Sequence, residues 1–322
     1  MKRRTLGKLC VLAVMLGGAM GAGAQEYPNR TVKIIVPQTP GGASDTLARI
    51  IGQKLSDKWG QPVVIENRAG AGGNVGTEVV ASSPADGYTL LMSYVGTQAI
   101  NGSLYKSLPF DPDKDFAPVA TLATLPFVVV SRPDAAFKTV PELVEAAKKS
   151  RMTYGSAGNG SVNHLLGEMF NKAAGVKLVH IPYRGAAPAM TDLMGGQIDV
   201  VFTSLPSVAG SLKAGKLRAI AVTSAKRAAA FDQIPTIAEA GFAGFDVSPW
   251  FGLLAPARTP PAIVAKVNAD VNALLKTREV AESFAAQGAE PYLTAPAEFT
   301  KVLRSDIEKW GRVVKESGAS LD

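Results

Sequence analysis

Short apolar runs alternate along this chain with segments of helical periodicity, and that alternation restricts the fold more than any single motif. Runs of strand length occur at Val32–Val36, Val63–Glu66, Thr89–Ser93, Pro126–Val130, Thr153–Gly155, Leu178–Ile181, Asp199–Phe202, Arg218–Thr223 and Val247–Leu254. Between several of them, apolar residues recur at three- and four-residue intervals, as at Leu47, Ile50, Ile51 and Leu55. Strands separated by helices line up in parallel sheets with the helices as crossovers. An α/β protein is expected.

Two runs stand apart. Leu122 to Val130 and Asp246 to Leu254 are long, apolar and interrupted by Pro126 and Pro249. A proline-marked extended segment can pass from one sheet to another without a helix, so these two read as connections between two α/β lobes. Residues 131–245 then form a second lobe inserted in the first. With the crossings divided between the lobes, the limits are 25–125 and 249–322 for lobe 1 and 126–248 for lobe 2. Lobe 1 is completed by C-terminal helices that bury Ile263, Val267, Val271 and Leu274, then Phe299, Leu303, Ile307, Trp310 and Val314. Thr294 is the expected N-cap of the last helix, with Glu298 in its first turn.

The ends of the strands carry the candidate chemistry. Pro40-Gly41-Gly42-Ala43-Ser44-Asp45 follows the first strand and precedes a helix pattern over Thr46 to Lys58. A second turn, Tyr154 to Ser161, precedes the pattern Val162 to Ala174. A helix start offers unpaired N–H groups at the positive end of the helix dipole, a seat for a carboxylate or phosphate. Glycine also permits the positive φ such turns use; a β-branched residue at Gly42 would obstruct the approach of a ligand and oppose any such φ. An ordinary tight turn has the same composition, so each seat alone is a weak sign. Asp45 has a plainer role open to it, capping its helix or pairing with Arg49; Ser44, Ser156 and Ser161 read equally as caps and as ligand groups.

Further candidates follow other strands: Tyr94-Val95-Gly96-Thr97-Gln98, Pro182-Tyr183-Arg184-Gly185 and Thr203-Ser204-Leu205-Pro206-Ser207. In open α/β sheets, ligands gather beyond the carboxyl ends of strands. Arg184 is the one cation in these loops and would suit a second carboxylate; a solvent-exposed arginine is the competing reading. His164, one turn into its helix, is either a packed histidine or a group that senses bound charge.

The first 24 residues read as a secretory signal peptide: a basic start with Lys2, Arg3, Arg4 and Lys8, an apolar stretch Leu9 to Met20, and Ala22-Gly23-Ala24 before the cut. Cleavage removes four basic and no acidic residues, lowering the net charge from +7 to +3, and takes the single cysteine, Cys10. The mature chain would be soluble and exported, without disulfides or thiolate chemistry. Its basic residues are scattered, which gives nucleic-acid binding little support. Only His164 and His180 remain as histidines, so a zinc or iron site is not expected. No Gly-x-Ser-x-Gly, phosphate-loop, dinucleotide or His-Glu-x-x-His pattern occurs, and the runs Gly70-Ala71-Gly72-Gly73 and Gly155 to Gly160 match none of those spacings. Binding fits better than catalysis.

Taken in order, Tyr27-Pro28-Asn29-Arg30, Pro40 to Arg49, Val64 to Asn74 with its Glu66-Asn67-Arg68-Ala69-Gly70, Ala85-Asp86-Gly87-Tyr88-Thr89-Leu90, Tyr154 to Ser161, Pro182-Tyr183-Arg184-Gly185, Asp192 to Asp199 and Gly241-Phe242 resemble the extracytoplasmic solute receptors of tripartite tricarboxylate transporters, the Bug family. The resemblance implies a type II periplasmic-binding-protein fold: two α/β lobes, a double crossover hinge and a cleft that closes over a small organic anion. It implies a periplasmic, monomeric receptor with no cofactor, metal or catalytic residue, which delivers a di-, tri- or aromatic carboxylate to permease subunits in the membrane. The ligand residues carried over or proposed from the strand ends are Pro40, Gly41, Gly42, Ala43, Ser44, Asp45, Thr46, Tyr94, Gly96, Thr97, Ser156, Asn159, Gly160, Ser161, His164, Tyr183, Arg184 and Thr203. In the family, the loop matching 40–46 and the facing loop matching 156–161 hold one carboxylate, partly through water. Thr203-Ser204 stands where many relatives have Asp-Asn, which removes a partner for an ammonium group and favours plain carboxylates. A carboxylate sensor in signalling, or an exported hydrolase, is the alternative role. A transcription-factor effector domain would lack the export signal, and a porphobilinogen-deaminase-like enzyme would need a cysteine that the mature chain does not have.

Overall fold

Strand β1 (Val32–Val36) opens the first of two sheets in a computed structural model that describes residues 27–321. The expected signal peptide lies outside the described residues. The chain continues through α1 (Ala43–Trp59), β2 (Val63–Asn67), α2 (Asn74–Ala81), β3 (Thr89–Tyr94), α3 (Asn101–Leu104) and β4 (Phe116–Thr124). It then builds β5 (Phe127–Ser131), α4 (Val140–Lys149), β6 (Thr153–Ser156), α5 (Val162–Ala174), β7 (Val179–Pro182), α6 (Ala186–Met194), β8 (Val200–Ser204), α7 (Leu205–Lys213) and β9 (Arg218–Val222). It ends with β10 (Trp250–Pro256), α8 (Pro261–Leu275), α9 (Arg278–Ala286), β11 (Glu290–Pro291) and α10 (Pro296–Ser317).

The strands form a six-stranded sheet in the order β11-β4-β10-β3-β1-β2 and a five-stranded sheet in the order β7-β6-β8-β5-β9. Neither is purely parallel, contrary to the sequence expectation. β1 pairs in parallel with β2 and β3, but β10 runs antiparallel to β3 and β4. In the second sheet β6 pairs in parallel with β7 and β8, whereas β5 is antiparallel to β8 and β9. Apart from the two-residue β11, which runs antiparallel to β4 at the sheet edge, the reversed strands β5 and β10 are those entered from the other sheet. No crossover helix precedes them to restore direction.

The sheets are joined twice, at Leu125-Pro126 between β4 and β5 and at Ser248-Pro249 before β10. The two crossings touch, because the Leu125 N–H donates to the Pro249 carbonyl (3.0 Å). Each proline falls where a strand stops, consistent with its missing donor. Both sheets are buried on two faces. On β1, Ile34 packs with Leu47, Ile51 and Val267 on one side, while Ile35 turns to the opposite face with Val80 and Trp250, as period-two alternation requires. The cluster containing Ile35 and Trp250 runs on into the second lobe through Phe127, Tyr154, Phe170 and Phe202. The far side of the second sheet packs Val128, Val130 and Val201 against Ala189, Leu193, Leu205 and Val208. Two lobes joined by a double crossing make the periplasmic-binding-protein architecture.

Two local expectations need correction. α10 is capped at Ala295 without a side-chain bond. Thr294 is instead drawn into the sheet, with its hydroxyl 2.9 Å from that of Thr121 and its carbonyl accepting from Asn268 Nδ2 (2.8 Å). The segment after β3 is not a loop; it forms a π-helical turn over Gly96–Ile100 that leads into α3. Buried side-chain bonds hold this turn: Ser93 Oγ lies 3.0 Å from Thr97 Oγ1 and donates to Gln98 Oε1 (3.1 Å), and Gln98 Nε2 donates to the Pro112 carbonyl (2.7 Å).

Candidate ligand cleft

Between the lobes, at the carboxyl ends of β1, β2, β3, β6 and β8, lies a cavity of about 690 Å³. Its lower wall comes from Pro37-Gln38-Thr39, Gly42-Ala43-Ser44, Ala69 to Gly73, Tyr94 and Gly96; its upper wall comes from Ala157, Asn159 to Asn163, Gly185-Ala186 and Ser204. Phe127 and Pro249 from the crossings line it as well, and Phe251, Tyr105 and Leu321 complete the wall.

The wall contains the N-cap residues of five helices: Gly42 of α1, Gly73 of α2, Ser161 of α5, Gly185 of α6 and Ser204 of α7. None of the residues lining the cavity is Asp, Glu, Lys, Arg or His. First-turn N–H groups have no intrahelical partner, and the dipoles add partial positive charge at the same ends. Five such ends around an uncharged cavity make a site for an anion held by fixed dipoles.

The turn before α1 is shaped by Asp45. Its Oδ2 accepts from the Gly41 N–H (2.9 Å) and Arg49 Nε (3.0 Å), and its Oδ1 accepts from Asn67 Nδ2 (3.0 Å). Burial alone would raise this carboxyl, but Arg49, the Gly41 amide and Asn67 together hold it below the usual carboxylate range. Asp45 therefore does its work behind the wall, as the pairing with Arg49 anticipated. The positive φ falls at Gly41 (83°), whereas Gly42 has φ −79°, open to any residue. A side chain at Gly42 would intrude on the cavity, as expected from sequence, but it would not strain the turn, which corrects the other half of that expectation. Ser44 is no cap either: its hydroxyl has no partner among the described residues, and its residue lines the cavity.

Across the cleft, Ser161 caps α5 by accepting from the His164 N–H (3.3 Å) and donates to the Gly158 carbonyl (2.7 Å). Ser156 is fully buried, accepting from the Gly158 N–H (3.0 Å) and lying 2.6 Å from His180 Nε2. His164 and His180 stack with ring centroids 3.8 Å apart, and His164 Nδ1 accepts from the Gly160 N–H (3.0 Å). Burial lowers both imidazoles; His180, with His164 beside it, is lowered to about 4. The two histidines brace this loop from behind as a neutral pair.

The cavity thus gathers Gly42, Ala43, Ser44, Tyr94, Gly96, Asn159, Gly160 and Ser161 from the sequence candidates. Pro40, Gly41, Asp45, Thr46, Thr97, Ser156 and His164 lie behind that wall or beside it. Tyr183 is turned away, donating to Asp192 Oδ2 (2.7 Å); burial and that carboxylate push its phenol up to about 12. Arg184 is exposed, makes no ion pair among the described residues and does not line the cavity. Thr203 faces the α6–α7 side of its sheet, fully buried with an unpartnered hydroxyl, and Ser204 reaches the cavity in its place. Sequence reasoning passed over Gln38, which lines the cavity beside Tyr94, and the segment Ala69–Gly73. The latter had a visible signal, since its glycine run joins a strand to a helix as the two chosen seats do.

Residues 47–319 match the family described as the tripartite tricarboxylate transporter family receptor, TctC. Protein BugT of Bordetella pertussis is 38% identical over 321 residues, 99% of this chain and 98% of that protein. Among solved structures, an R. palustris protein with adipate superposes with a TM-score of 0.84 at 36% identity, covering 92% of this chain and 100% of that one. MatC from Rhodopseudomonas palustris, with bound malate, does so with a TM-score of 0.78 at 33% identity over 89% of this chain and 100% of that one. With an uncharged interlobe cleft ringed by helix starts, and with that match over most of its length, the chain belongs to the TctC family of solute-binding receptors, the group to which the Bug proteins belong.

Proposed function

We propose that this receptor works in the periplasm, after removal of residues 1–24, and captures a small organic carboxylate for delivery to a tripartite tricarboxylate transporter permease. The observation that carries the ligand class is the convergence of five helix N-caps on a cavity without a charged lining side chain. One carboxylate is held by the amides at Gly42, Ala43 and Ser44 with the Ser44 hydroxyl, and by the backbone of the facing loop at Asn159, Gly160 and Ser161, the Asn159 side chain being turned to the Ser320 carbonyl. The remainder of the ligand lies toward Gly185-Ala186 and Ser204. An amino acid is disfavoured, because its ammonium would find no acid on the wall and a buried unpaired charge is costly. The relatives solved with adipate and with malate support a dicarboxylate. Capture proceeds by rotation of lobe 2 (126–248) against lobe 1 (25–125 and 249–322) about the two crossings, acting as a monomer.

Thermal denaturation of the mature protein against a panel of organic acids and amino acids tests this. A ligand at ~100 times its Kd adds roughly 2.7 kcal/mol of stability. Dicarboxylates are expected to raise Tm and amino acids of equal length to leave it unchanged. A panel in which only amino acids, or no acids, shift Tm would overturn the ligand class.

A further inference from the structure

α10 ends at Gly318, in the left-handed region with φ 69°, and the chain then returns to the cavity wall at Leu321. Leu321 runs parallel to Tyr105: its N–H donates to the Leu104 carbonyl (2.8 Å), and its carbonyl accepts from the Lys106 N–H (3.3 Å). These bonds fasten the segment to lobe 1. Its other side meets lobe 2, where Asn159 Nδ2 donates to the Ser320 carbonyl (3.1 Å). Leu321 also forms part of the cavity wall.

We propose that residues 319–321 are a closing strap, completing the cleft on the side of lobe 1, and that Asn159 is a positioning residue that locks to it. Asn159 stands between Gly158 (φ 125°) and Gly160 (φ 73°), positions of unusual backbone freedom, on the loop that faces α1. The loop is braced from behind by Ser156 and the histidine pair; among the described residues its one hydrogen bond to lobe 1 is that of Asn159 to the strap, beside which Gly160 packs on Leu104. That bond joins the two lobes, so it must break before the cleft opens. Lys172 with Glu316 (2.8 Å) and Lys309 with the Asp246 carbonyl (3.0 Å) also join the lobes, but on the exposed surface; the Asn159 bond lies at the cavity wall, where it slows release and leaves the encounter with ligand unchanged.

The proposal rests on the carboxylate-receptor reading, so its test uses malate and adipate as probes with the mature protein. Tryptophan-fluorescence stopped flow gives association and dissociation rates for wild type, Asn159→Ala, a variant lacking residues 319–322, and the two combined. A net hydrogen bond of ordinary strength corresponds to dissociation faster by roughly two- to tenfold in Asn159→Ala, with an unchanged association rate and ligand-free Tm. The combined variant is expected to dissociate no faster than the truncated one, because Asn159 acts through Ser320. Additive effects would show that Asn159 serves the ligand directly, and unchanged dissociation in Asn159→Ala would show that the strap holds nothing; either overturns the proposal. If neither acid binds the wild type, the ligand reading fails separately. Spin labels at Val79→Cys and Met194→Cys, exposed sites on opposite lobes, then report on the strap alone. Asn159→Ala is expected to shift the interlobe distance distribution outward, and an unaltered distribution would overturn the strap.

Discussion

Replacing Gly160 with alanine separates the strain of a loop from the closure of two lobes. The backbone at Gly160 has φ 73°, and a Cβ built there would overlap both methyl groups of Leu104 and lie 2.8 Å from its Cγ. Leu104 is 4% exposed, at the end of α3 in lobe 1, and cannot simply swing aside. Two penalties follow. A non-glycine residue in the left-handed region costs about 1–2 kcal/mol, and that cost belongs to the loop whether the lobes are apart or together. Overpacking against Leu104 costs typically about 1–3 kcal/mol and exists only when the lobes meet. Gly160→Ala should therefore lower the stability of the ligand-free protein by the first amount and weaken ligand affinity by the second, roughly 5- to 150-fold in Kd. Leu104→Ala removes the obstructing methyl groups, so the double variant should recover most of the affinity while keeping the stability loss. Calorimetry on the four proteins completes the cycle. If Gly160→Ala binds as tightly as wild type, or if Leu104→Ala brings no recovery, the lobes do not close on this contact.

Three further outcomes follow from the site. His180 is lowered from 6.5 to about 4, so the folded protein holds fewer protons than the unfolded chain between those values. The stability it supports is complete above pH 6.5 and is lost as the pH falls toward 4; at a partly exposed site about 1–2 kcal/mol is expected, and urea titrations at pH 7 and 4.5 should show a shallower loss in His180→Gln. Asp45→Asn puts an NH₂ among three donors, and should cost about 1.5–3 kcal/mol by urea denaturation; an unchanged midpoint would deny Asp45 its role in shaping the turn. Thr203→Val removes a buried hydroxyl that has no partner and should raise stability by about 1 kcal/mol with affinity unaltered, whereas Ser204→Val should weaken binding; the reverse pattern would place Thr203 in the cleft.

The sequence showed best what repeats locally. β1 and α5 have the limits that apolar spacing predicts, Val32–Val36 and Val162–Ala174, because each buries a continuous face. The prolines at the crossings were legible for a similar reason, since a missing N–H marks the residue where a ladder must stop. Lobe 2's upper wall was harder. Thr203 and Ser204 are adjacent on β8, and a shift of one residue exchanges the faces of a strand, so composition alone could not decide which would meet a ligand. Nothing local distinguishes Tyr105, Pro249 or Leu321 as parts of one cavity, for Pro249 comes to it through a crossing and Leu321 through the return of the chain after α10. The turn Gly96–Ile100 was missed because its stabilising bonds, from Ser93 to Thr97 and Gln98 and on to Pro112, are buried side-chain contacts with no helical apolar period.

The uncharged wall also bears on how binding and closure are coupled. Gly42 and Gly73 bring two helix starts from lobe 1, and Ser161, Gly185 and Ser204 bring three from lobe 2. Each start carries roughly half a positive charge, so bringing the lobes together gathers charge of one sign. An anion between them reverses the sign of that interaction, and gains most when both sets of amides reach it. Arginines would bind the anion too, but a long side chain can follow its ligand from one lobe while the other stays away. Backbone dipoles cannot move independently of their helices. A carboxylate can satisfy both sets only if the lobes approach, which makes the ligand's charge itself the signal for closure.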